Sequence, residues 1–230
     1  MKKIMVMLFV AVLMTVGVRS VDAQVVMKFE DGGNEAIVYD NETQIACFTQ
    51  DLFGNMLISS GTVPDGEVHC ADEEETGVFL FKNNLPNGIS RTFYKNGNIH
   101  IETYYADGRI QDIVREYYED GGIQFETSII DGVPEGACTQ YYRNGTVHVV
   151  ENIVAGEKHG TAKHYFEDGS LEAELEWVYG ECTWVKTYDA DGTLKEEGVP
   201  DFSDGQTQFI QSKGYDDDGN IIRDVREEEK

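Results

Sequence analysis

The chain has 230 residues, with 43 acidic and 18 basic side chains and a formal net charge of −25. This excess of negative charge repels phosphate backbones and anionic lipid surfaces, so we expect no nucleic-acid partner and no stable insertion into a membrane. The charge either keeps the protein soluble or attracts a basic protein partner or divalent cations.

Residues 1–23 are predicted to be a signal peptide. Two lysines precede an uncharged apolar stretch, and Val21 and Ala23 are the small residues that a signal peptidase requires. The stretch is about 15 residues long, shorter than the roughly 20 that span a bilayer, although an uncleaved anchor is an alternative. We expect the mature chain to begin at Gln24, to carry a net charge of −27 and to be periplasmic, exposed on the cell surface or secreted.

Residues 24–80 show only scattered turn signals and no regular spacing, which predicts an irregular β-rich cap or degenerate repeats. Four cysteines in an exported chain raise the question of disulfides. Cys47 and Cys70 both precede the repeats and are the pair that we expect to be bridged. Cys138 and Cys182 lie in repeats that are not neighbours, which places them beyond disulfide reach.

A glycine recurs every 23 or 24 residues through the rest of the chain, at Gly97, Gly121, Gly145, Gly169 and Gly192. The first four lie in the same phrase, which reads aromatic pair, any residue, Asn or Asp, Gly, any residue, branched apolar residue; in the fifth, Tyr188-Asp-Ala-Asp-Gly192, the aromatic residue sits one position early. A second set of turn signals lies between them, at Asp107-Gly108, Asp131-Gly132, Ala155-Gly156 and Tyr179-Gly180. Turn dipeptides between alternating apolar residues predict hairpins, so each unit contains two strands and two turns.

The segment after each main glycine alternates in polarity. Its first copy places Ile99, Ile101, Thr103 and Tyr105 on one face, and His100, Glu102 and Tyr104 on the other. A period of two predicts half-buried β-strands rather than helices.

The repeated phrase G-x-x-x-G followed by Y-Y-x-[ND]-G-x-[ILV] resembles the variant form of the MORN repeat found in bacterial proteins. The resemblance implies hairpins added in series to one elongated, single-layer antiparallel sheet. We expect this all-β array to cover residues 81–222, followed by a charged tail over 223–230. A lone hairpin is marginal in water, and stacked neighbours share both the hydrogen-bond ladder and the apolar face.

Catalytic and metal-binding patterns are absent from the sequence. The five histidines show no zinc spacing and the cysteines form no C-x-x-C pair, so we expect no enzyme, no metal and no cofactor. The segment 216–218 resembles the start of a calcium loop, and calcium there stays open as an alternative to a simple turn.

The resemblance implies a protein-binding scaffold, for which an antitoxin or immunity role is one candidate, because bacterial chains with such repeats are often given those names. The alternative is a module that binds cell-surface carbohydrate or cell wall. The candidate binding residues are those predicted to be exposed on the repeat face, namely His100, Tyr104, His148, Glu172 and Glu176.

Overall fold

The computed structural model describes residues 25–30, 35–40, 42–51, 53–71, 75–201 and 208–225. These ranges contain 20 β-strands and no helix, which confirms the predicted all-β class. They accordingly contain no helix long and apolar enough to cross a membrane. The predicted signal peptide and the end of the predicted tail, residues 226–230, lie outside the described residues.

The chain divides into two compact units, whose described residues are 25–134 and 135–225. The strands of the N-terminal unit are β1 (Val25–Glu30), β2 (Glu35–Asp40), β3 (Thr43–Gln50), β4 (Met56–Gly61), β5 (Gly66–Ala71), β6 (Glu75–Lys82), β7 (Leu85–Pro86), β8 (Gly88–Tyr94), β9 (Ile99–Ala106), β10 (Arg109–Tyr117) and β11 (Ile123–Ile130). Strand β12 (Val133–Tyr141) begins at the division. The C-terminal unit continues with β13 (Val147–Val154), β14 (Glu157–Lys158), β15 (Gly160–Tyr165), β16 (Leu171–Val178), β17 (Glu181–Tyr188), β18 (Leu194–Asp201), β19 (Gln208–Tyr215) and β20 (Ile221–Val225).

Each unit is built on consecutive hairpins. In the N-terminal unit the strand order is β4-β3-β2-β1-β5-β6-β8-β9-β10-β11, and only the β1–β5 pair is parallel among the described pairings. The C-terminal unit runs β12-β13-β15-β16-β17-β18-β19-β20, with neighbours antiparallel throughout. The predicted antiparallel sheet of serial hairpins is therefore confirmed.

The two sets of turns have different geometries. In the turns at Asp107, Asp131, Ala155 and Tyr179, here called return turns, both central residues have positive φ. In the main turns only the glycine does, with φ of 86° at Gly97, and the Gly97 amide donates to the Tyr94 carbonyl at 2.8 Å. This is the three-residue hairpin in which a type I turn is followed by a left-handed glycine.

A β-bulge follows every main turn. Gly219 forms a sixth main turn, with φ of 80° and its amide donating to the Asp216 carbonyl at 2.9 Å. The residue three positions after each main glycine has no partner in the opposite strand; the six such residues are His100, Gln124, His148, Glu172, Lys195 and Ile222. A bulge inserts one extra residue into a strand and interrupts the alternation of side chains between the faces. The sequence pattern alone did not reveal it.

The N-terminal strands pack against the first repeats. Their shared core includes Phe48, Met56 and Phe81, which are almost fully buried with Tyr105 and Ile110 of the repeats. Apolar burial on this scale is the main stabilising contribution to such a unit.

Asn55, in the loop before β4, forms hydrogen bonds with backbone groups at two successive return turns. It is 6% exposed, its Nδ2 donates to the Gly132 carbonyl at 2.8 Å, and its Oδ1 accepts from the Ile110 amide at 2.8 Å. The Met56 amide next to it donates to the carbonyl of Gly108, also at 2.8 Å. One side chain thus satisfies backbone groups of two different repeats.

The core of the C-terminal unit contains a buried ion pair. Glu151 is 3% exposed, and its Oε2 lies 2.5 Å from Nζ of Lys158, which also lies 4.9 Å from the ring centroid of Trp177. In the first repeat the same two positions are held by Thr103 and Ile110, both buried. The charged pair is therefore a feature of this one repeat.

The expected disulfide between Cys47 and Cys70 is wrong, because both residues are thiols. Cys47 lies on β3 and Cys70 on β5, and strands β2 and β1 separate them in the sheet. Three interstrand steps amount to roughly 14 Å, about twice the Cα separation that a disulfide allows.

Candidate binding surface

Oppositely charged side chains alternate across the exposed face of the repeats, which we call the outer face. In the N-terminal unit the row Arg91, Glu102, Arg115, Glu126 runs across β8 to β11, each residue paired directly with the next. Nη2 of Arg91 lies 2.7 Å from Oε2 of Glu102, and Nε of Arg115 lies 3.2 Å from Oε2 of Glu126. We call this row the charge ladder; opposite charges facing across strands favour this register.

The C-terminal unit carries its own charge ladder. The alternation runs through Lys163, Glu174, Lys186, Glu197, Lys213 and Asp224, with neighbours again paired. In every hairpin the basic residue lies six positions before the main glycine and the acidic residue five positions after it. The first hairpin of this unit departs from the rule, because Thr139 faces Val150 at these positions.

Tyrosine hydroxyls form hydrogen bonds with acidic residues of the charge ladder. The hydroxyl of Tyr188 donates to Oε2 of Glu174 at 3.2 Å, and that of Tyr215 donates to Oε1 of Glu197 at 2.7 Å. Burial followed by the charge of Glu174 raises the pKa of Tyr188, and the hydrogen bond to Glu197 raises that of Tyr215. These tyrosines occupy the position of the first member of the aromatic pair, although an Asp follows each of them, and their hydroxyls bind ladder carboxylates of the preceding repeat.

The second member of the aromatic pair connects neighbouring repeats, because its hydroxyl donates to a backbone carbonyl of the next repeat. The hydroxyl of Tyr94 donates to the Tyr117 carbonyl at 2.6 Å, and that of Tyr142 to the Tyr165 carbonyl at 2.8 Å. A hydrogen bond of this kind contributes about 1 kcal/mol. The aromatic pairs therefore have a structural role in these repeats.

Beside the ladder of the N-terminal unit lies a row of exposed apolar side chains. Leu80, Ile89, Tyr104 and Ile113 occupy the consecutive strands β6, β8, β9 and β10 and are between 37% and 46% exposed. Ile89 and Tyr104 are direct cross-strand partners. We call these four residues the apolar row. Their neighbours in sequence, such as Phe79 and Tyr105, are buried on the opposite face.

The equivalent positions in the first two hairpins of the C-terminal unit are polar or small, whereas the third hairpin carries Trp184 and Val199, both half-buried. Ala137 and Thr161 take the place of Ile89 and Ile113, and Glu176 takes the place of Tyr104. The hydroxyl of Thr161 donates to Oε1 of Glu176 at 2.7 Å, which satisfies both groups. Apolar residues are therefore not required at these positions in every repeat, and among the described residues four exposed apolar side chains follow one another across the strands only in the first unit.

Two of the five predicted binding residues, Tyr104 and Glu176, lie exposed on the outer face as expected. Tyr104 belongs to the apolar row and Glu176 to its polar counterpart. The sequence analysis missed the other members, although Ile89 and Ile113 share one repeat position, 24 residues apart, and Leu80 and Tyr104 share another.

His100 is not an exposed residue of the outer face. Its side chain is 18% exposed, Nδ1 lies 2.5 Å from Oε1 of Glu75, and Nε2 lies 3.5 Å from Oε1 of Glu116. Its ring stacks on Tyr94 with centroids 4.3 Å apart. The bulge turns His100 toward these carboxylates, on the side of the sheet that carries the core. Burial alone would lower its pKa, but hydrogen bonds to Glu116 and Glu75 outweigh this and raise it to about 9.

His148 and Glu172 are likewise bulge residues, and both are half-buried. The His148 ring stacks on Tyr142 with centroids 4.3 Å apart, which repeats the geometry of His100 on Tyr94. The expected exposure of these residues was wrong for the same reason as for His100. The described residues contain no group of three or more His, Cys, Asp or Glu that could hold a metal ion.

The fold and surface together define an all-β repeat protein whose turns and aromatic pairs are structural and whose surface residues vary between repeats. Two segments, residues 86–107 and 158–179, match the model of the MORN repeat variant. These two segments are similar to the MORN repeat variant, and such repeats suggest a binding protein.

Two solved structures are similar to part of this chain. A crystal structure of a TarM mutant from S. aureus in complex with Fondaparinux, alpha-GlcNAc-glycerol and UDP is 12% identical, with a TM-score of 0.23 over 59% of this chain and 21% of TarM. A second TarM crystal structure is 15% identical, with a TM-score of 0.21 over 59% of this chain and 20% of TarM. The chain therefore spans about a fifth of these proteins, and scores this low carry no inference about fold or activity. No curated protein matches the chain.

Proposed function

We propose that this chain is an exported, non-enzymatic scaffold that binds a protein partner through the outer face of its N-terminal unit. The observation that carries this proposal is the apolar row of Leu80, Ile89, Tyr104 and Ile113, exposed beside a ladder of paired charges. Contiguous apolar surface rimmed by polar residues is typical of protein interaction sites.

The comparison between repeats supports a functional rather than a structural origin for the row. The same positions hold Ala137, Thr161 and Glu176 in the first two hairpins of the C-terminal unit, where the strands pair in the same way, and the half-buried Trp184 in the third. Exposing several large apolar side chains carries an aggregation risk that the scaffold does not impose. A binding role accounts for their retention.

Charge indicates the class of partner. The mature chain carries a net charge of −27, whereas the ladder beside the apolar row is balanced. A basic partner would be attracted at long range by the net charge and held at short range by apolar contact. Its association rate would fall as salt concentration rises.

The partner that we propose to test first is the product of the neighbouring gene, because the repeat type suggests an antitoxin or immunity role. Export requires that this partner be located in the cell envelope or outside the cell. N-terminal sequencing of the mature protein tests export directly, and a first residue other than Gln24 would contradict the proposed cleavage site.

The binding test is calorimetric titration of the purified neighbouring product with the mature chain. Substituting Ile89→Thr and Ile113→Thr together places in the first unit the residue that Thr161 already provides in the second. We expect this double variant to weaken binding tenfold or more, since buried apolar residues dominate protein interfaces.

The matched control is Ala137→Thr, which introduces the same side chain at the same repeat position in the C-terminal unit. It should leave the dissociation constant unchanged. Equal affinity of the double variant and the parent would refute the assignment of the surface. Binding to arrayed glycans or peptidoglycan, without binding to the protein, would favour the carbohydrate-binding alternative.

A further inference from the structure

We propose that the outer face of the N-terminal unit pairs with the same face of a second copy of this chain, forming a weak symmetric dimer. The inference rests on the proposed function, because both take this face to be a protein-contact surface. A second copy of the chain covers the face when the functional partner is absent. The order of charges and apolar residues across the strands supports it.

A ladder of alternating charges is complementary to itself. A two-fold axis parallel to the strands, placed midway between two neighbouring strands, brings together strands that are an odd number of places apart in the sheet. Because the charges alternate from strand to strand, a basic residue then faces an acidic one wherever both strands belong to the ladder. Such an isologous contact is the commonest form of homodimer interface, and the axis keeps the strands of the two sheets aligned, as in β-sandwiches.

The apolar row selects one position for that axis. With the axis between β8 and β9, Ile89 faces Tyr104 of the partner subunit, and Leu80 faces Ile113 of the partner subunit. All four members of the row then meet apolar residues. An axis between β9 and β10 would instead place Ile89 opposite Ser128 of the partner subunit, which leaves part of the row against a polar group.

The same axis is compatible with the charge ladder and its continuation. Arg91 faces Glu102 of the partner subunit, Glu126 faces His69 of the partner subunit, and Arg115 faces the uncharged Val78 of the partner subunit. His69 stands at this level because it pairs with Val78, which in turn pairs with Arg91. No two like charges of the ladder oppose each other, so the contact avoids the cost of unpaired repulsion.

The contact is expected to be weak. Four apolar side chains and one charge ladder form a patch below the size of a standard specific interface, and two chains of net charge −27 repel each other at long range. A weak dimer protects the apolar row from nonspecific contact and still releases it to a partner of higher affinity.

Sedimentation of the mature chain over roughly 10–500 µM, at a fixed salt concentration, tests this inference at the concentrations where weak interfaces associate. We expect a reversible monomer–dimer equilibrium that Ile89→Thr with Ile113→Thr shifts toward monomer by tenfold or more. Charge reversal gives a sharper test. Arg91→Glu and Glu102→Arg should each abolish dimerisation, because each places like charges face to face.

An equimolar mixture of the two charge-reversed chains should recover dimers, since residue 91 of each chain then faces an opposite charge at residue 102 of the other. The recovery also shows that both variants are folded, because an unfolded chain would not associate. Lys186→Glu and Glu197→Lys, the same reversals in the ladder of the C-terminal unit, are the controls and should leave association unchanged.

A parent chain that stays monomeric over the whole range, or a mixture that fails to associate, overturns the dimer. Neither result bears on the calorimetric test of the neighbouring gene product. Conversely, a dimer that forms while no protein partner binds would leave this inference standing and remove the proposed function.

Discussion

The hydrogen bonds of Asn55 predict that one return-turn glycine is far less tolerant of substitution than another of the same conformation. Gly132 and Gly180 have φ of 80° and 82° and both occupy the second position of a return turn. A Cβ at Gly132 would overlap the side-chain amide of Asn55, whereas a Cβ at Gly180 would meet no atom within 4 Å. The two positions therefore differ in packing and not in backbone.

The magnitude follows from the hydrogen bonds that the substitution would break. Alanine in the left-handed region costs about 1–2 kcal/mol at either site. At Gly132 the amide of Asn55 must also move, which breaks its bonds to the Gly132 carbonyl and the Ile110 amide. Each buried backbone group left unsatisfied costs about 1–3 kcal/mol. We expect Gly132→Ala to destabilise the N-terminal unit by roughly 3–8 kcal/mol, and Gly180→Ala to destabilise the C-terminal unit by only about 1–2 kcal/mol.

The assay is urea unfolding followed by far-ultraviolet circular dichroism, with hydrogen exchange at the Ile110 amide as the local probe. Asn55→Ala should by itself expose that amide to exchange. In the Asn55→Ala background the additional cost of Gly132→Ala should fall to about 1–2 kcal/mol, because the colliding side chain is gone. Equal costs at Gly132 and Gly180, or additive costs in the double variant, would refute this reasoning.

Three further substitutions test individual contacts. Lys158→Ile should destabilise the C-terminal unit by about 3–5 kcal/mol in the same urea assay, because it leaves Glu151 buried without its counter-charge. Adding Glu151→Thr reproduces the uncharged pair of the first repeat and should recover most of the lost stability. Because the pKa of His100 is raised from 6.5 to about 9, its ionised form stabilises the fold below about pH 6.5, and this contribution is lost as the pH rises through about 9. After allowance for solvent screening, this contribution amounts to roughly 1–2 kcal/mol. The parent should therefore be more stable than His100→Gln at pH 6, and the difference should fall to zero by pH 10. A difference that does not depend on pH would contradict the assignment. Tyr94→Phe should cost about 1 kcal/mol by removing one hydrogen bond between repeats, and an unchanged unfolding midpoint would exclude that role.

The turns and strands were predictable because their causes are local. The glycine spacing and its Asn or Asp neighbours impose the same turn chemistry in each repeat; for example, Oδ1 of Asn96 accepts from the Asn98 amide at 2.8 Å. The charge ladder also has a sequence pattern, a basic residue six positions before each main glycine except Gly145 and an acidic residue five positions after it. Its meaning required the strand register, which places these residues opposite each other.

The exposure of His100, His148 and Glu172 was not predictable from alternation. The argument from a period of two assumes a regular strand, and a bulge at the same position of every repeat breaks that assumption. The role of Asn55 had no sequence signal either, because its partners lie 55 and 77 residues away. Such contacts depend on how the N-terminal strands pack against the repeats.

The charge ladder has a consequence for how this chain can change in length. Both charges of a rung lie in one hairpin, on either side of the same main glycine, as Arg91 and Glu102 do around Gly97. Duplication or deletion of a whole 24-residue repeat therefore inserts or removes a neutral pair and preserves the alternation on both sides. Loss of a single strand would instead place like charges together, so selection should tolerate changes in repeat number only in complete units.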